Sequence, residues 1–140
     1  MSPEQLDIQS CLQQCRTIAV VGLSPKPHRD SYRVSQYMQS QGYRIIPINP
    51  LVQAVLGERA YASLSEAAQH EQIEMVNCFR NAQDIPPIAE QAIAVGAKSL
   101  WLQIGISHTE AAALARQAGL WVVQNRCLMV EHARLGRHTP

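Results

Sequence analysis

The run Thr17-Ile18-Ala19-Val20-Val21-Gly22-Leu23-Ser24-Pro25-Lys26-Pro27-His28-Arg29 decides the fold. Five apolar or β-branched residues stand in succession with no polar alternation. That describes a strand buried on both faces, which is how a parallel sheet covered by helices reads. Gly22 ends the strand, and the prolines and cations beyond it belong to a loop.

The same grammar repeats outward from this run. Upstream, Ser2-Pro3-Glu4-Gln5 puts serine at an N-cap, proline at the first helical position and glutamine three residues after the cap. That opens a helix over about residues 3–15, with Ile8, Leu12 and Cys15 on one face. Downstream, Tyr32-Arg33-Val34 and Tyr37-Met38 predict a helix over 30–41 that closes at Gly42. Residues 43–48 read as a second strand, with Pro47 tolerated near its end. Ser63-Leu64-Ser65-Glu66 is a second capping box, and 74–79 is a third strand. Asp84 can cap a helix running to about Val95, with Pro86 and Pro87 in its first turn. Residues 99–103 are a fourth strand, and Ser107-His108-Thr109-Glu110 opens an alanine-rich helix that stops at Gly119. Residues 120–123 are a fifth strand, with a short helix from about Leu128. Strand and helix alternate throughout, at the spacing of βα units.

Right-handed crossovers then predict one domain over residues 1–140, with a flexible tail from about 136. The fold class is a Rossmann-like doubly wound α/β domain. It has three α/β/α layers around a five-stranded parallel sheet of order 3-2-1-4-5.

Composition narrows the function. A net charge of +1 offers no basic field for a nucleic acid, and 5% aromatic residues give no base-stacking platform. The polar opening, with Glu4 and Asp7, is not a secretory leader, and no apolar run is long enough to span a bilayer. Cys11, Cys15, Cys78 and Cys127 fall mostly in helices and strands and read as free thiols, which predicts a cytoplasmic protein. Cys11, Cys15 and Cys78 are expected in the core, as are Trp101 and Trp121. The five histidines form no zinc pattern.

In such a sheet ligands bind beyond the carboxyl ends of the strands, so five post-strand segments carry the candidate site. The first holds Gly22, Ser24, Lys26 and Arg29, followed by Arg33. The second holds Asn49 and Pro50, the third Phe79 and Arg80, the fourth Gln103 and Gly105, and the fifth Asn125, Arg126 and Cys127. Several cations around a helix N-terminus in a nearly neutral chain suit a ligand with several phosphates. The loop has neither G-x-G-x-x-G nor G-x-x-x-x-G-K-[ST]. The second strand ends in Ile48-Asn49-Pro50, without the acid that holds the ribose hydroxyls of NAD.

Several blocks together resemble the small stand-alone bacterial CoA-binding proteins. They are Val20 to Pro27, Ser31 to Val34, Gly42 to Pro50, Leu102 to Ile106, and Asn125 to Cys127 with Glu131 and His132. That family is similar in fold to the N-terminal CoA-binding domain of the succinyl-CoA synthetase α subunit. The resemblance covers about residues 5–136. It implies coenzyme A, or an acyl-CoA, lying across the strand ends. Gly22, Ser24 and Arg33 would then lie near its phosphates, Asn49 and Pro50 by the adenosine, and Phe79 and Arg80 beside the nucleotide and pantetheine. Gln103 and Gly105 would line the pantetheine path, with Asn125 to Cys127 at the far end. Two positions depart from the family pattern: Asn125 stands for a frequent aspartate and Leu128 for a frequent proline. The synthetases also use a phosphorylated histidine from another domain that this sequence does not represent, so the resemblance implies binding and not ligation. The expectation is therefore a CoA-binding or sensing module without catalysis of its own and with an unidentified protein partner. The alternatives are a minimal CoA-linked transferase or thiol-exchange enzyme using Cys127, and an NAD-binding regulator of the same fold.

Overall fold

The computed structural model describes residues 2–138. Helix α1 (Pro3–Gln14) precedes strand β1 (Thr17–Val21), α2 (Asp30–Ser40) and β2 (Arg44–Ile48). A small antiparallel hairpin of β3 (Ala54–Val55) and β4 (Glu58–Arg59) follows, then α3 (Leu64–Ala68). The chain continues through β5 (Met75–Cys78), α4 (Ile85–Ala94), β6 (Ser99–Leu102), α5 (Thr109–Gln117), β7 (Trp121–Val123) and α6 (Leu128–His138). Thus residues 136–138 of the expected tail are helical, and 139 and 140 lie outside the described residues.

The main sheet is fully parallel, in the order β2-β1-β5-β6-β7. The strand at Met75–Cys78, third in the sequence reading, lies beside β1 and not at the outer edge beyond β2. The edge place is held by a single parallel bridge, Ile48 to Tyr61. Tyr61 N–H donates to the Pro47 carbonyl at 3.0 Å, and Asn49 N–H to the Tyr61 carbonyl at 2.9 Å. Counted with this rudimentary strand, the order is the expected doubly wound one, 3-2-1-4-5 continued by a sixth strand. One bridging residue is too short to be legible as a strand.

Side-chain alternation along each strand builds two cores. Ile18 and Val20 of β1, Met75 and Trp101 pack under α1, α2 and α6, with Leu12, Val34, Met38 and Leu128. Ala19, Val76, Leu100 and Val122 pack under α3, α4 and α5, where Ala89, Ala92, Ala112 and Ala115 let the helices approach closely. Trp101 is fully buried, while Trp121 on the edge strand is half-buried. Cys11, Cys15 and Cys78 are buried free thiols. Burial pushes Cys11 up to about 12 and raises Cys15 and Cys78 as well, so all three stay protonated and unreactive.

Two helix starts differ from expectation. Helix α5 is capped by His108, whose Nδ1 accepts from Ala111 N–H at 3.1 Å, so its ring is half-buried. Asp84 lends no side-chain cap to α4. A 3-10 turn over Ala82–Asp84 leads in, and Asp84 Oδ2 lies 3.6 Å from Arg80 Nε.

At the amino edge of the sheet, the Glu74 carboxylate ties three segments together. Its Oε1 accepts from Arg16 N–H at 2.9 Å and Thr17 N–H at 3.1 Å, and its Oε2 pairs with Lys98 Nζ at 3.0 Å. Burial raises this carboxyl's pKa, but these donors and the lysine charge outweigh burial and hold it below the usual range. A depressed carboxylate stabilises the fold above its unfolded value, about 4.3, and loses that contribution as pH falls through the folded value. Glu74→Gln should therefore lower stability by about 1–2 kcal/mol at neutral pH. Urea titrations across pH should show the deficit shrinking as the wild-type carboxyl itself protonates.

Candidate functional site

Gly22 ends β1 and Phe79 follows β5, and these strands are neighbours in the sheet. The chain leaves β1 toward α2 on one face and leaves β5 toward α4 on the other. The two loops diverge and open a crevice at the carboxyl edge, which is the switch point where open α/β sheets hold ligands. A cleft of about 580 Å³ lies there. Gly22 and Phe79 line its inner side, Ser24 and Lys26 come from the loop, and His28 to Ser31 come from the start of α2.

The loop holds its shape by its own hydrogen bonds. Ser24 N–H donates to Ser31 Oγ at 3.0 Å, and Ser24 Oγ accepts from Lys26 N–H at 3.1 Å. Arg29 N–H donates to the Lys26 carbonyl at 3.0 Å. Arg29 is the N-cap of α2 and makes no side-chain cap. The first turn of this eleven-residue helix therefore starts without a side-chain acceptor, beside the exposed Lys26 and Arg29. This combination of free N–H groups, helix dipole and two cations favours an anion.

Gly22 is needed at the inner wall. Its φ is +87°, and a Cβ there would lie 2.8 Å from the Phe79 carbonyl oxygen and 3.1 Å from Arg80 Cδ. The glycine is fixed by its N–H, which donates to the Ile48 carbonyl at 3.0 Å, while Phe79 N–H donates to the Val21 carbonyl at 2.9 Å.

The remaining candidates divide by what they hold. Arg33 pairs with Asp30 across one helical turn, which offsets the one carboxylate in the cleft. Arg80 stands over Gly22, half-exposed and beside Asp84. Asn49 braces the rim: its Nδ2 donates to the Leu23 carbonyl and its Oδ1 accepts from Leu51 N–H, each at 2.9 Å. Pro50 is exposed next to it. Gln103 is buried, and its Oε1 accepts from Leu128 N–H at 3.0 Å and from Asn77 Nδ2 at 3.3 Å. It anchors the start of α6.

Asn125, at φ +57°, bonds Gly105 N–H through its Oδ1 at 2.6 Å and locks the last two loops together. Arg126 turns away from the cleft, with its Nε donating to Glu4 Oε1 at 2.7 Å. It lines a second cavity between α1 and α6. Cys127 is half-buried and packs against the core under α1, α2 and α6. Glu131 and His132 point apart. Glu131 meets Arg134, while His132 Nδ1 lies 2.9 Å from the Tyr37 hydroxyl. They form no acid–base pair.

Sequence reasoning did not single out Asn77, His28, Asp30 or Ser31 as site residues. Asn77 gave no signal beyond a polar residue inside an apolar strand. Ser31 stood inside one of the blocks quoted for the resemblance, at the start of α2.

A family model described as "CoA binding domain" matches residues 16–133. A Bacillus subtilis (strain 168) protein described as "Uncharacterized protein YneT" is 39% identical over 132 residues, covering 94% of this chain and 96% of the relative. A solved structure described as a hypothetical protein from Pyrococcus horikoshii OT3 is 40% identical, with a TM-score of 0.87 over 94% of this chain and 91% of that one. The structure of cell-free ID.343 from Thermus thermophilus is 36% identical, with a TM-score of 0.86 over 96% of this chain and 99% of that one.

Proposed function

This chain belongs to the CoA binding domain family, and we propose that it binds coenzyme A or an acyl-CoA in the cleft between β1 and β5, as a cytoplasmic binding or sensing module. The observation that carries this reading is the uncapped start of α2 beside Lys26, Arg29 and a glycine wall at the switch point. Coenzyme A carries a pyrophosphate and a ribose phosphate, which are the anions such a site favours.

The pyrophosphate lies against Gly22, Ser24 and the first turn of α2, with Lys26 and Arg29 reaching its outer oxygens. Arg33 keeps Asp30 neutralised. The adenosine lies toward Asn49 and Pro50, and Phe79 and Arg80 flank the nucleotide. The pantetheine runs along the edge toward Gln103 and Gly105, whose loop Asn125 holds, with Cys127 at the far end, while Arg126 is paired with Glu4 outside this path. Asn49 supports the choice of coenzyme A over NAD. It is an amide, not an acid, and both ends of its side chain are engaged in bracing its own loop. No ribose clamp remains there.

Lys26→Ala and Arg29→Ala should each weaken CoA binding by about fivefold at low salt, the size of one partly exposed charged contact. The loss should shrink at high salt, because the lost contribution is screened. Calorimetric titration at two salt concentrations reads this directly. Affinities equal to wild type at low salt would remove both cations from the site.

A further inference from the structure

The second cavity, of about 470 Å³, lies between α1 and α6 and shares no lining residue with the cleft at the switch point. Its walls combine the apolar side chains of Ile8 and Leu135 with Arg126, Glu131 and Arg134. Glu131 is the notable member: its side chain is only 11% exposed, and the Arg134 that pairs with it at 3.2 Å is itself 60% exposed. A carboxylate this far out of water calls for firm donors, and a solvent-borne arginine is a loose one. Across the cavity Arg126 pairs with Glu4 at the surface. The hydrogen bond to Glu4 and the Glu4 charge raise the Arg126 pKa above its ordinary value, and the charge of Glu131 adds to this, so the two ion pairs share one field.

We propose that this cavity is a second ligand site, for a small zwitterion of the α-amino acid class with an aliphatic side chain. The ligand's ammonium meets Glu131, its carboxylate meets Arg126 and Arg134, and its side chain rests on Ile8 and Leu135. The volume lies within the range of small-molecule sites, and a few convergent polar groups over apolar walls are their usual construction. The Arg126–Glu4 pair is inexpensive to open, since exposed pairs contribute little, and Arg134, on the solvent side of its own pair, is able to turn toward a ligand carboxylate. This inference does not depend on the coenzyme reading, because it uses other residues.

The test is titration of the full chain with L-leucine, followed by amide chemical shifts in NMR. Saturable binding with a Kd on the order of 1 mM is expected for a ligand of this size. Shifts should be centred on α1 and α6. Glu131→Gln and Arg126→Gln should each weaken it about tenfold or more, while thermal melts of the same variants confirm that they remain folded. Should one variant fail to fold, the other still decides. Isocaproate (4-methylpentanoate) and isoamylamine, each carrying leucine's side chain with half of the zwitterion, should bind at least tenfold more weakly. The proposal is overturned if leucine does not saturate the wild type, if binding survives undiminished in the folded variants, or if either half-ligand binds as well as leucine.

Discussion

Gly22→Val should abolish detectable CoA binding and destabilise the fold by about 2–4 kcal/mol. Two terms add. A β-branched residue at φ +87° is strained by about 1–2 kcal/mol. Its Cβ would also sit 2.8 Å from the Phe79 carbonyl oxygen, and backbone atoms cannot yield as a side-chain tip can. Relief requires β1 and β5 to part at their carboxyl ends, where Gly22 N–H and Phe79 N–H anchor the crevice. The same shift moves the wall against which the phosphates lie, so loss of affinity by about a hundredfold or more accompanies the loss of stability. Gly57→Ala is the control. Gly57 also has a positive φ, +77°, but nothing lies within 4 Å of a Cβ there. That variant should carry the strain alone and bind CoA as wild type does, as read by thermal melts and calorimetry. Normal CoA affinity in Gly22→Val would separate the cleft from the ligand.

Trp101→Ala should cost about 3–5 kcal/mol, a large share of the stability of an ordinary domain. Trp101 is fully buried in β6 beneath α1 and α6, and its indole Nε1 donates to the Arg126 carbonyl at 2.9 Å. Truncation opens a cavity in the core and leaves that carbonyl without its donor. Trp101→Phe keeps much of the ring and loses the hydrogen bond, so about 1–3 kcal/mol is expected for it. Urea unfolding midpoints measure both, and a cost below about 1 kcal/mol for the alanine variant would contradict the packing described. Because the indole tethers the segment between β7 and α6, both variants should also loosen Arg126 and Cys127 in hydrogen exchange.

The fold was legible wherever burial on both faces left uninterrupted apolar strands, as at Thr17–Val21 and Ser99–Leu102. Capping chemistry was legible at Ser2, whose reciprocal bonds with Gln5 are both present, and at Ser63, which accepts from Glu66 N–H. It misled by one residue at His108, because an imidazole nitrogen in extended backbone supplies the same acceptor as a serine. The β3–β4 hairpin was not foreseen. Its turn uses Leu56 at φ +55° before Gly57, and leucine is not a residue that advertises positive φ. The position of β5 depended on a lone bridge at Tyr61 taking the edge of the sheet, which no local pattern encodes.

Within the candidate site, sequence located the loops, because strand ends follow from strand positions. It could not say which way the side chains turn. Gln103 and Asn125 are spent on holding loops and a helix start, while Arg126 faces the other side of α6. Those outcomes depend on partners distant in the chain, such as Leu128, Gly105 and Glu4.

The most direct measurement is calorimetric titration of this chain with coenzyme A and, separately, with NAD, at low salt. Saturable one-to-one binding of CoA is expected, with at least about tenfold weaker binding of NAD, whose diol lacks an acid here. Saturable NAD binding with none for CoA would contradict the CoA reading.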